Sequence, residues 1–275
     1  MDRETLLEKL LTCLKETGAY QLEHFRKFAH GSGNEKAAGE FVSHIDIESE
    51  GLLHDRLVSL LPGSVFFGEE TVQQRSHAYT WVVDPIDGTT NYISGFSEWS
   101  ISAALIESDI TVLSAVYRPF SGEHFTALRD RGAWYQYRPI APPGSSKLKD
   151  SLVATAFPYR SPDTADAFFA CAREMLYASR GLRRVGSAAL DICYTAAGFL
   201  QGFWEPDLQP YDVAAALLFS RECGGVTTDF FNNPYELFSS TSLISAIPGV
   251  HGEMQEIIGK HYACVPRLAQ GGSHP

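Results

Sequence analysis

The chain has 275 residues, 44% of them hydrophobic, enough to bury a substantial core in one large domain or two of common size. A net charge of −11 and a pI near 5.3, with no Lys/Arg cluster against the acidic background, argue against a nucleic-acid-binding surface, and no apolar run reaches membrane-spanning length. The cysteines Cys13, Cys171, Cys193, Cys223 and Cys264 form no Cys-x-x-Cys pair and no basic-then-apolar leader is visible, so free thiols in a reducing cytoplasm are expected.

In chain order, leucines at helical spacing predict an amphipathic helix from Glu4 to about Phe28. Gly31 to Lys36 reads as a loop, and Glu40 to Asp46 as a short strand or the run into a second helix that ends at Pro62-Gly63. Val65-Phe-Phe67 is a predicted strand, followed at once by Gly68-Glu69-Glu70. Tyr79 to Val83 is aromatic and β-branched and predicts a buried strand that stops at Asp84, because Pro85 removes a backbone donor and fixes φ. Trp99–Glu107, Ile110–Tyr117, His124–Leu128 and Trp134–Tyr137 continue as an antiparallel meander. Pro139-Ile-Ala-Pro142-Pro143-Gly-Ser-Ser146 is the strongest linker and divides the chain into an N-terminal α+β half, 1–143, and a C-terminal α/β half, 144–275. The second half alternates strand and helix, including predicted helices over Thr164–Ala178, Ala188–Ala197 and Val213–Arg221, which suggests a mixed or parallel sheet covered by helices. The Gly271–Pro275 tail is expected to fray.

The chemistry concentrates in Asp84-Pro-Ile-Asp87-Gly88-Thr89-Thr90-Asn91. Its two carboxylates offer hard oxygen to a hard cation. The glycine and hydroxyl residues that follow offer a tight turn and backbone donors for an anion. A phosphate bound to magnesium needs both. Asp46, Glu69 and Asp212 stand at other element boundaries with apolar flanks. Asp212, at the start of an Ala-rich helix, also has the position of an ordinary N-cap.

Gly68-Glu-Glu70, Asp84-Pro-Ile-Asp-Gly-Thr-Thr-Asn91 and Tyr211-Asp-Val-Ala-Ala215 together resemble the signatures of the inositol monophosphatase family, the lithium-sensitive, magnesium-dependent phosphatases. Val42-Ser-His-Ile-Asp46 and Arg183-Arg-Val-Gly-Ser-Ala-Ala-Leu190 extend the resemblance over nearly the whole chain. It implies a layered α-β-α-β-α sandwich with the site between the halves. It also implies two or three Mg²⁺ ions, one on Glu69, Asp84 and the Ile86 carbonyl and a second on Asp84, Asp87 and Asp212. Phosphate would lie on the metals and on the N–H groups of Gly88 and Thr89. Water would be oriented by Glu69 and the Thr89 hydroxyl, with Asp46 hydrogen-bonded to Thr89 as proton acceptor.

Gly186, Ala188 and Glu205 match positions that line the alcohol pocket, and Asp212 borders it. The implied substrate is a small-molecule phosphate ester, inositol monophosphate first, and the implied partner a second copy in a homodimer. Fructose-1,6-bisphosphatase or nucleotide 3′-phosphatase activity is the alternative within the class, and a metal- or phosphate-binding regulator without turnover the alternative outside it. The sequence departs from the family pattern in three places. Tyr211 stands where Trp is usual and is expected to alter the pocket wall, Ser43 replaces a Thr, and Lys36 is the only candidate for the lysine usually found before Asp46.

Overall fold

The computed structural model describes residues 1–27, 34–37, 40–42, 44–141, 144 and 146–265, those between 34 and 42 by backbone alone. Ser43, the Lys36 side chain, the 142–143 linker residues and the C-terminal tail therefore lie outside the described residues.

Helix α1 (Arg3–His24) starts where the Asp2 carboxylate accepts the Thr5 N–H at 2.8 Å, and Leu6, Leu7, Leu10, Leu11 and Leu14 form its buried face. It ends earlier than the leucine pattern predicts. Phe25 turns to extended backbone and packs its ring 5.5 Å from Tyr92 and 5.7 Å from Trp99. A hairpin of β1 (Asn34–Ala37) and β2 (Glu40–Val42) leads to α2 (His44–Leu60), which places Asp46 in its first turn.

A seven-stranded sheet follows, in spatial order β3 (Val65–Gly68), β4 (Tyr79–Asp87), β5 (Ser100–Glu107), β6 (Ile110–Arg118), β7 (Glu123–Leu128), β8 (Gly132–Tyr135) and β9 (Arg138–Pro139). Only the β3–β4 pair is parallel. A short helix, α3 (Thr89–Ile93), joins β4 to β5. The second sheet has the order β11 (Gly181–Arg183), β10 (Leu152–Thr155), β12 (Gly202–Pro206), β14 (Ser242–Ala246), β13 (Val226–Thr228) and mixes parallel with antiparallel pairs. Its helices are α4 (Ala165–Ala178), α5 (Ala188–Ala196), α6 (Pro210–Glu222) and α7 (Pro248–Tyr262).

Side-chain alternation builds the layers. Trp81, Val83, Ala103, Leu105, Leu113 and Ala115 face α1 and α2. Val82, Ala104, Val116 and Phe125 face the other way, into a core shared with α5 and α6. Beyond the second sheet, Phe168, Met175, Val250, Met254 and Ile258 of α4 and α7 close the far side with Trp204 and Ile244. The result is the expected α-β-α-β-α sandwich. The change of sheet falls between β9 and β10, and α5 and α6 form the middle layer against the first sheet.

Candidate active site

Strand β4 does not stop at Asp84 as Pro85 suggests; it runs on to Asp87 through a bulge. Asp84 pairs with Ser102 and Asp87 with Ser100, so β4 spends one residue more than β5 over that step. In a regular strand, residues three apart point to opposite faces. The extra residue re-aims the chain, and both carboxylates reach one cleft. The bulge is also where a proline can sit without breaking a central strand.

The chain then turns sharply at Gly88, whose φ of 102° lies in the left-handed region. A Cβ there would meet the Gly186 carbonyl at 2.9 Å and the Glu98 carbonyl at 3.1 Å, so only glycine fits. Asn91, on α3, fastens the same place. Its Nδ2 donates to the carbonyls of Glu98 at 2.5 Å and Val185 at 3.0 Å. The 88–91 segment and the 185–188 turn before α5 become two walls of one cleft of about 150 Å³.

Glu69, Asp84, Ile86, Asp87, Gly88, Thr89, Gly186, Ala188, Glu205 and Asp212 all line this cleft. Asp46 does not; it is buried on α2 behind it. The Thr89 hydroxyl donates to the Ile86 carbonyl at 3.0 Å, in place of the implied bond to Asp46. Asp84 Oδ1 accepts the Ile86 N–H at 2.9 Å. The Asp87 carboxylate accepts from Ser187 Oγ at 2.5 Å and from the N–H groups of Ala188 at 3.1 Å and Ala189 at 2.8 Å, so it caps α5 as well as facing the cleft.

Asp212 proves to be N3 of α6 rather than its N-cap. Its Oδ2 accepts the Gln209 N–H at 2.6 Å in a capping box with Pro210 in the first turn. Tyr211, expected on the pocket wall, lies instead in the core, 9% exposed with its ring 6.5 Å from that of Phe67, because the side chain before N3 points inward on this helix.

Four other cleft residues escaped sequence reasoning. Arg160 Nη1 reaches Asp212 Oδ2 at 3.0 Å and its Nη2 lies 3.8 Å from Glu69 Oε1. Arg184 lies over the rings of Tyr159 (5.8 Å) and Phe157 (6.0 Å) at the mouth. Ser187 is the N-cap of α5, accepting the Leu190 N–H at 3.3 Å, a role its Gly-Ser-Ala-Ala setting signals. Asp191 is the one acid in a helix whose other residues, Tyr194 and Thr195 apart, are apolar, and that is the signal available for it.

Burial and mutual repulsion dominate the electrostatics. Desolvation, then the charges of Glu69, Asp87 and Asp212, holds the Asp84 carboxyl well above the usual carboxylate range. Burial pushes Asp87 up to about 6, against the Ser187 hydroxyl and the two N–H groups that favour its charge. Burial and then Asp212 push Glu205 up to about 8. Such a cluster favours a cation, and carboxylate and carbonyl oxygens suit Mg²⁺. Among the described residues no three acidic, histidine or cysteine side chains yet close into a metal cage. Two of the carboxylates are turned to protein donors, Asp87 to α5 and Asp212 to Arg160 and Gln209. The donor set fits a hard divalent cation in the chemistry of its oxygens and in its shared cleft.

The inositol monophosphatase family model matches residues 2–265. An inositol-1-monophosphatase of Rhizobium meliloti is 33% identical over 231 residues, 83% of this chain and 87% of that protein. A protein of Vibrio cholerae named Nus factor SuhB is 33% identical over 225 residues, 81% and 84% of the two chains. Among solved structures, the extragenic suppressor protein suhB from Bartonella henselae superposes with a TM-score of 0.88 at 28% identity, covering 93% of this chain and 99% of that one. A Thermotoga maritima IMPase superposes at 0.85 with 25% identity, covering 92% and 96%.

Proposed function

Because the chain belongs to the inositol monophosphatase family and is a phosphoric monoester hydrolase, we propose that it cleaves the monophosphate of a polyol of the inositol type with the help of Mg²⁺. The observation that carries this reading is the convergence of Glu69, Asp84, Asp87 and Asp212, from three separate parts of the chain, in the cleft that Glu205 also lines. Glu69, Asp84, Asp87, Asp212 and the Ile86 carbonyl would hold two or three Mg²⁺ ions, which when bound supply positive charge to the phosphate and acidify water.

The chain's own groups do the remaining work. The Gly88 and Thr89 N–H groups, at the start of α3 where helical donors have no partner within the helix, are the donors for phosphate oxygens. A threonine hydroxyl has one proton and two lone pairs. With its proton given to the Ile86 carbonyl, Thr89 is left to accept from the attacking water and so to orient it, opposite Glu69. Asp46, buried behind the cleft, adds negative charge toward Asp84 and serves as a positioning residue. Glu205, with Gly186 and Ala188, faces the alcohol. A homodimer, as the family resemblance implies, belongs to the same reading and is checked by light scattering.

A second reading has an observation of its own. Arg160 and Arg184 also line the cleft and suit a second anionic group, which favours a bisphosphate such as fructose 1,6-bisphosphate. The Nus factor name of the Vibrio cholerae relative keeps a regulator without turnover in view. Phosphate release from a panel of phosphorylated polyols, sugars and nucleotides separates these. Highest kcat/KM on a polyol monophosphate is expected. Preference for a bisphosphate would replace the substrate assignment, and no release from any ester would overturn the phosphatase mechanism.

A further inference from the structure

The cleft contains a carboxylate that the proposed chemistry leaves unused. Asp191 stands on α5, nearly a turn beyond Ala188, is 1% exposed, and lines the cleft with Glu205 and Arg184. Its Oδ1 is enclosed and has no hydrogen-bond partner among the described residues. Its neighbours on the helix, Ala188, Ala189, Leu190, Ile192 and Cys193, are all buried and apolar, so packing alone would be served by an aliphatic side chain. A buried carboxylate with an unused acceptor destabilises the fold, and such groups persist where a ligand completes them. Burial, then Glu205 and Asp87, pushes the Asp191 carboxyl well above its ordinary range, offset in part by Arg184 and the Gly186 N–H. Of the charged groups that act on Asp191, Glu205, the residue assigned to the alcohol, acts most strongly, which places Asp191 on the alcohol side.

We propose that Asp191 is a specificity-determining residue that, together with Glu205, accepts hydrogen bonds from the hydroxyl groups of the polyol. The proposal rests on the function proposed above and deepens it. Two carboxyl groups side by side are rich in acceptors, and they select an alcohol that brings several O–H donors over one that brings an alkyl or aryl surface. One acidic residue reads a single hydroxyl; a pair reads an arrangement of them.

The test is the ratio of kcat/KM for inositol 1-phosphate to that for 4-nitrophenyl phosphate, an ester with no hydroxyls on its leaving group. Asp191→Asn keeps the shape and replaces one carboxyl oxygen by an amide N–H₂ donor. The ratio should fall about tenfold, the worth of one hydrogen bond lost when a donor replaces an acceptor, with the loss in KM for the inositol ester. The melting temperature of the variant should hold or rise, because a buried carboxyl whose ionisation Glu205 and Asp87 oppose is gone. If the Asn variant does not melt cooperatively, Asp191→Ser is read in the same way. Equal losses on both esters with a lower melting temperature would make Asp191 a structural residue and overturn the proposal, as would an unchanged ratio. Wild-type protein that cleaves neither ester contradicts the proposed phosphatase chemistry. Wild-type protein that cleaves both without preferring the inositol ester contradicts the substrate assignment and this proposal together.

Discussion

Asp87 shows how one side chain ties fold and chemistry together. Its carboxylate caps α5 through Ser187, Ala188 and Ala189 and stands in the proposed metal set. Asp87→Asn would place an amide against three donors and remove one negative charge from the acidic cleft. Turnover is expected to fall by orders of magnitude, and the fold to lose about 1 kcal/mol, the usual worth of a cap. A cooperative melt a few degrees lower by calorimetry supports both roles; wild-type turnover in the variant would remove Asp87 from the site. Glu205 acts at the same scale but on the alcohol. Glu205→Gln should weaken kcat/KM for inositol monophosphate roughly ten- to a hundredfold and scarcely touch an aryl phosphate. If both substrates fall together, Glu205 supports the site as a whole.

At the scale of elements, the site depends on α3 and the turn before α5 being held edge to edge. Asn91 does this with one amide on the backbone carbonyls of Glu98, Val185 and Gly186, and Gly88 allows the contact by having no Cβ. Asn91→Ala leaves the metal carboxylates in place but strips those carbonyls of their donor. A stability loss of about 1–3 kcal/mol is expected, with a larger proportional loss in turnover than in Mg²⁺ affinity measured by calorimetry. Equal losses in both would mean that Asn91 shapes the metal ligands themselves.

Elements of this kind were only partly legible in the sequence. Gly88, Asp84, Asp87 and Asp212 declared themselves through turn and cap chemistry, which is local. The bulge in β4 depends on pairing with β5, and proline alone pointed to a strand end. Arg160 and Asp191 come to the cleft from distant parts of the chain. Nothing near them in sequence distinguishes Arg160 from a surface arginine, whereas Asp191 had its apolar helix to betray it. Family position puts Tyr211 at the pocket wall, whereas α6 turns it into the core.

The whole molecule places its acidic cleft against the layer of helices shared by both sheets, and this gives stability a pH dependence. Asp84, Asp87 and Glu205 have pKa values raised on folding. Each therefore binds more proton in the folded than in the unfolded chain, and stability falls as pH rises from near the ordinary carboxylate value through about 6 for Asp87 and about 8 for Glu205. In chelator the melting temperature should decline between pH 5 and 8.5, values chosen to span roughly that window. Mg²⁺ should flatten the decline, because it binds the ionised form. A profile in chelator that rises with pH would show that the carboxylates are compensated within the protein.

The central claim is that this cleft is a Mg²⁺-dependent phosphomonoesterase site, and release of inorganic phosphate from inositol 1-phosphate, measured in Mg²⁺ and in excess EDTA, tests it most directly. Turnover that appears with Mg²⁺ and is abolished by EDTA is the predicted result. Undiminished turnover in EDTA would contradict it.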